Sequence, residues 1–80
     1  MANSMHPNNW VAVTPANTTL GYIATSLYIG VGGDVKVKCV GNTTAVTFKN
    51  AQSGSYIIGQ FDKVYSGGTT ATNILAAKLN

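Results

Sequence analysis

From Leu27 to Lys49 the chain reads LYIGVGGDVKVKCVGNTTAVTFK, and apolar and polar positions alternate through it twice. Val35, Val37 and Cys39 share one side of an extended chain, with Lys36 and Lys38 on the other. Beyond Gly41-Asn42 the apolar side resumes at Val46 and Phe48, opposite Thr47 and Lys49. Successive strand side chains point to opposite faces, so this period of two predicts an antiparallel hairpin with one face on a core and one in water. Comparable runs fill the rest of the chain from Leu20. They predict strands at approximately 22–29, 34–40, 44–49, 54–58, 60–65 and 71–79, separated by turns rich in Gly, Asn and Ser. Turn signals at about ten-residue spacing define the expected class as all-β, a small antiparallel β-sandwich or barrel of about six strands. The last run, TNILAAKL, also scans as two helical turns with Thr72 as N-cap, but its β-branched neighbours favour a strand.

Residues 1–19 read differently. Both prolines, Pro7 and Pro15, lie here, Asn and Ser dominate the first nine residues, and only Trp10 to Val13 has strand character. The expected organisation is an extended N-terminal arm over 1–19, with a short β or anchoring patch around Trp10, and a β-domain over 20–80. A tryptophan in such an arm needs a surface to bury against, either the chain's own core or a neighbouring subunit. Trp10, Val11 and Val13 are therefore candidate interface residues, together with Lys36, Lys38 and Lys49 on the wet face of the hairpin. Those lysines either keep an edge strand soluble or meet an acidic patch on a partner.

Composition sharpens the expectation of a partner. For a domain of 80 residues, the gain from apolar burial and the cost of ordering the chain nearly cancel. One cysteine, Cys39, forms no internal disulfide, and one histidine, His6, gives no ligand set for a structural metal. Association is the remaining source of buried area. Only 9% of residues are charged, five lysines against Asp34 and Asp62, with no arginine or glutamate. A free monomer usually carries about a quarter. An uncharged Thr/Asn/Ser surface suits a homo-oligomer packed in an assembly, the alternative being a simple small or secreted β-domain. The start, MANSMHPNNW, lacks the pattern of a secretory signal, and no window reaches the roughly eighteen apolar residues of a membrane span, so the expected product is cytoplasmic and free of membrane. Asn17-Thr18-Thr19 and Asn42-Thr43-Thr44 match the glycosylation pattern but read as Thr-rich strand and turn sequence.

The inventory of reactive groups argues against catalysis. Gly30-Val31-Gly32-Gly33 lacks the third glycine and the following helix of a phosphate loop, and reads as a hairpin turn. His6 sits in the arm, away from any held nucleophile, Cys39 reads as a small buried hydrophobe, and Asp34 and Asp62, next to Lys36 and Lys63, read as surface pairing or turn capping. No cofactor, metal or small-molecule substrate is expected. A basic barrel with Tyr22, Tyr28, Tyr56, Phe61 and Tyr65 near Lys36, Lys38 and Lys49 would bind single-stranded nucleic acid by stacking, but the lack of arginine argues against it. A glycan-binding module with Trp10 or a tyrosine as platform is a third class.

Five segments, taken in order, carry a resemblance: Leu27–Gly30 with Gly33–Val37, Ala45–Ala51, Ser53–Tyr56, Lys63–Tyr65 and Gly68–Ile74. Together they resemble the small virion proteins of tailed bacteriophages and gene transfer agents known as spike base proteins, which read LYVGxGGDxxV, then VTFKNVxxG with GxxxPV, then TGTTAxxIxAL. The likeness runs from Tyr22 to Leu79 and departs at Ile57-Ile58-Gly59-Gln60, where the family carries a proline. It implies a non-enzymatic, oligomeric capsid-surface or vertex component (spike base, decoration or cement) that docks on a major capsid protein or other virion proteins after synthesis in the host cytoplasm. A neck or tail protein is the neighbouring alternative.

Overall fold

The computed structural model describes residues 9–78. The first eight residues of the expected arm, with His6 and Pro7, and Leu79 at the end of the last expected strand lie outside the described residues. Six strands are present: β1 (Asn9–Ala12), β2 (Ala24–Val31), β3 (Gly33–Cys39), β4 (Val46–Ala51), β5 (Ser55–Val64) and β6 (Thr72–Lys78). All pairings are antiparallel, in one sheet of order β1-β6-β2-β5-β3-β4. The expected all-β antiparallel class holds, but the six strands are not the six foreseen. The short β patch expected around Trp10 is a full member of the sheet, hydrogen-bonded to β6, and the segments expected as 54–58 and 60–65 form the single strand β5.

β5 runs unbroken through Gly59, the gap between the two expected strands, and there Phe61 folds its ring over the missing side chain; a Cβ at Gly59 would sit 2.7 Å from Phe61 Cζ. At Phe61 the strand changes neighbours. Up to this point β5 pairs with β2, ending at Ala24↔Phe61, and from Cys39↔Phe61 onward it pairs with β3. Both partners carry a register shift here, and such bulges bend a sheet. The free side of the later half of β5 is taken by the connection after β1, where Ala16 and Leu20 donate backbone N–H groups to the carbonyls of Val64 and Asp62.

The bend brings the apolar sides of both halves together. Leu27 and Ile29 from β2, Val35 and Val37 from β3, Phe61 and Val64 from β5, and Ile74 and Ala76 from β6 form one buried cluster. Phe48 from β4 meets Phe61 edge to face, with ring centroids 6.4 Å apart. Phe48 and Val46 face this core as their spacing predicts, yet both stay more than a third exposed because β4 is the last strand and nothing among the described residues lies beyond it.

The glycine run overturns its sequence reading. β2 and β3 are joined by Gly32 alone and do not pair with each other, so Gly30 to Gly33 forms no hairpin. Nor does any of these three glycines have positive φ. They are small because backbones converge: a Cβ would meet Asn73 O at 2.5 Å from Gly30, Ala51 O at 2.5 Å from Gly32 and Ala71 N at 2.8 Å from Gly33. Close approach of chains at a corner is the second use of a missing side chain in sheets. The segment 72–78 is strand, paired with both β1 and β2.

Candidate functional site

A core on one face of a curved sheet leaves the other face to explain. In β2, Leu27 and Ile29 point inward, which turns Ser26 and Tyr28 outward; in β5, Ile57 points inward and turns Tyr56 and Ile58 outward. Register then fixes two rows across the outer face. One contains Ala12, Leu75, Tyr28 and Tyr56, each directly opposite the next, and the other contains Trp10, Ala77, Ser26 and Ile58. Residues directly opposite in antiparallel strands share a face and touch.

The second row has small residues in its middle, and this gap shapes the surface. Ala77 is fully buried and Ser26 nearly so although both lie outside the core cluster. The Trp10 indole from β1 and the Tyr56 ring from β5 lean toward each other over this gap and meet with centroids 6.2 Å apart, inclined at 58°. Tyr28 completes the cluster, 5.2 Å from Tyr56. The rings and Leu75 line an open cleft of about 380 Å³ that has no charged residue in its lining. The cluster is far from covered, with Trp10 46%, Tyr56 58% and Ile58 77% exposed. Gathered on one exposed sheet face, these large aromatic and aliphatic groups form a contiguous patch rather than ordinary scattered hydrophobes.

The lysines form a different surface. Lys36 and Lys38 alternate with buried Val35 and Val37, so they lie on the outer face of the other half of the sheet. Lys38 ion-pairs with Asp62 at 3.3 Å, and Lys49 with Asp34 at 3.5 Å. Asp34 also accepts a hydrogen bond from the backbone N–H of Asn50 through Oδ1, which fixes the end of β4. Lys36 and Lys63 instead lie over the Tyr65 ring, with ammonium nitrogens 5.2 and 4.9 Å from its centroid. Lys78 sits over Tyr22, whose hydroxyl burial pushes its pKa above 10.0.

The residues singled out from sequence are thus distributed over three places. Trp10 belongs to the aromatic face; Val11 and Val13 pack against the core from its edge; Lys36, Lys38 and Lys49 share the lysine-bearing face. Sequence reasoning missed Tyr28, Tyr56, Ile58 and Leu75 as a group. Their signal was present, since each is apolar or aromatic at the parity where a half-buried strand should be polar. Cys39 is partly buried against the core, as a small hydrophobe would be. Among the described residues no three of His, Cys, Asp and Glu come together to hold a metal ion.

Fold and surface together define a small antiparallel sheet protein whose distinctive features are two outward faces, one aromatic and one basic. No protein-family profile matches the sequence, and no curated protein does. Among solved structures, a chain described as "Capsid of native GTA particle computed with C5 symmetry", GTA being a gene transfer agent, is similar. It superposes with a TM-score of 0.78 at 22% identity, over 90% of this chain and 83% of that one. The two chains share the fold.

Proposed function

We propose that this protein is a non-enzymatic virion structural component of the tailed-phage and gene-transfer-agent type, an oligomeric capsid-surface or vertex protein acting as spike base, decoration or cement. The observation that carries this reading is the likeness, over nearly the whole length, to a chain of a gene transfer agent capsid. The surface agrees with it. An uncharged cluster of Trp10, Tyr28, Tyr56, Ile58 and Leu75 left open on a small domain is the kind of patch that an assembled neighbour covers, and aromatic anchors of this type dominate interface energetics. Trp10, with Val11 and Val13 behind it, forms the self-association contact, and Lys36 on the lysine face turns to other virion proteins, flanked by Lys38 and Lys49, which Asp62 and Asp34 already neutralise. The Trp10, Tyr28 and Tyr56 cluster and the Lys36 and Lys63 pair lie on opposite halves of the sheet, which disfavours a groove that stacks bases between cations.

The test is the mass of the purified protein in solution by light scattering at two ionic strengths, for wild type and for Trp10→Ala with Tyr56→Ala. Wild type is expected as a closed oligomer at both salts, because the patch is apolar, and the double variant as a folded monomer by circular dichroism. A wild type that is monomeric at assembly concentrations, or a double variant that assembles unchanged, refutes the aromatic face as the self-association surface.

A further inference from the structure

We infer that the outer face of β3 and the later half of β5, centred on Lys36, Lys63 and Tyr65, docks a carboxylate-bearing surface of a partner protein. The chain has only two acidic side chains, and both are engaged elsewhere, Asp62 by Lys38 and Asp34 by Lys49. Among the described residues Lys36, Lys63 and Lys78 have no carboxylate partner, and the fold nonetheless draws the first two together. Lys63 lies directly opposite Lys38 across the β3–β5 pair, a like-charge placement that costs stability, and Lys36 reaches the same Tyr65 ring as Lys63.

Lys36 is also held in place more firmly than a surface lysine usually is. Its stem runs against Gly68, where a Cβ would stand 2.8 Å from Lys36 Cδ, and its backbone N–H donates to Thr69 Oγ1 at 3.0 Å. Gly68 has φ of +110°, a conformation that L side chains rarely adopt, so the position favours the one residue that leaves room for the lysine. Two ordered, unneutralised ammonium groups over one ring contribute little to the fold and form a ready receptor for an anion.

The anion is assigned to a protein rather than to nucleic acid on three grounds. The chain has no arginine to grip phosphate in a fork. The Tyr65 ring, the aromatic nearest these cations, carries both lysines against it and is not free to stack a base. Of the other exposed aromatics, Trp10 and Tyr56 lie on the opposite half of the sheet, and Phe48 lies on the core-facing side of β4, away from these lysines. This assignment gives the assembly reading the chemistry of its second partner and rests on that reading for its biological setting, while its test is separate.

The test is retention on immobilised poly-L-glutamate across a salt gradient, with single-stranded DNA as a parallel column, using two double variants of equal net charge. K36Q with K63Q removes the free pair, and K49Q with K78Q removes two lysines outside the Tyr65 cluster. Circular dichroism confirms that both are folded. The expected result is that K36Q/K63Q lowers affinity for poly-L-glutamate roughly tenfold while K49Q/K78Q changes it less than about twofold. Equal losses in the two variants would mean that only net charge is being read, and would overturn the inference. Tighter retention on DNA than on poly-L-glutamate would overturn it in favour of nucleic acid. Solution mass, measured in parallel, reports on self-association alone, so failure of one reading is distinguishable from failure of the other.

Discussion

The corner between β2 and β3 offers a test in which one substitution serves as control for another. Gly32→Ala places a methyl group 2.5 Å from Ala51 O, 3.0 Å from Ser53 N and 3.3 Å from Gln52 C, all backbone atoms at the end of β4 and in its connection to β5. None of these is the end of a flexible side chain, so the connection must move. Gly32 also donates its N–H to Ser53 Oγ at 2.8 Å, and the same displacement lengthens that bond. Gly41→Ala is the comparison, since a Cβ there meets nothing within 4 Å and its φ is not positive. Both changes reduce the freedom of the unfolded chain equally, a gain of about 0.4–1 kcal/mol, which cancels when the two variants are compared. What remains is the overpacking at Gly32, about 1–3 kcal/mol. In a domain of this size about 2 kcal/mol separates melting temperatures by roughly 8–16 °C. Urea or thermal unfolding followed by circular dichroism reads the gap, with Gly41→Ala at or slightly above wild type and Gly32→Ala well below. Variants within about 0.5 kcal/mol of one another would refute the close-approach account of the glycine run.

Two further outcomes follow from the packing and from Tyr22. Phe61→Ala removes the ring that seals Gly59 and meets Phe48, and is expected to cost about 3–5 kcal/mol, enough to leave the domain largely unfolded; a well-folded variant in the same unfolding assay would contradict the bend at β5 as the centre of the core. Burial favours the neutral phenol of Tyr22, so its folded pKa lies above the unfolded 10.0. The stability it contributes is complete below pH 10 and is lost as pH rises through the folded value, because the unfolded chain then gives up its proton first. Comparing urea midpoints of wild type and Tyr22→Phe from pH 8 to 11 should show wild type losing ground only above about pH 10, and parallel curves would remove the effect.

The sheet was legible where apolar and polar residues alternate strictly. Val35 to Cys39 and Val46 to Phe48 have a pattern that only one strand orientation satisfies, and the pairing of β3 with β4 follows from it. Legibility failed where a residue type has two physical uses. Glycine in Gly30 to Gly33 was read as turn chemistry, whereas the chain uses the absence of a side chain there to admit a neighbouring backbone. One sequence cannot separate these uses, because the atom that needs the space comes from Ala51 or Asn73, distant along the chain. The short β patch around Trp10 was legible, but not its pairing, since its partner Ala77 is specified only once β6 is known to be a strand.

The surface was the harder part, and the reason bears on how such a domain is read. A half-buried strand should be polar on its outer side, and the expectation hides any residue that breaks the rule. Tyr28, Tyr56, Ile58 and Leu75 break it on three strands, and only the register shows that the breaks coincide. Four independent departures scattered at random would each cost a little solubility; four in contiguous rows under a tryptophan make one patch. The lysines obeyed the rule and were counted together, yet pairing divides them: Asp34 and Asp62 neutralise Lys49 and Lys38, and Tyr65 gathers Lys36 and Lys63. The charges that matter for a partner are those left after the fold has used its own carboxylates. With two carboxylates and five lysines that remainder is small enough to assign to named residues. Under the proposed assembly each face makes a different demand on its neighbour, apolar contact at Trp10 and negative charge at Lys36, so salt should loosen the second contact and leave the first in place.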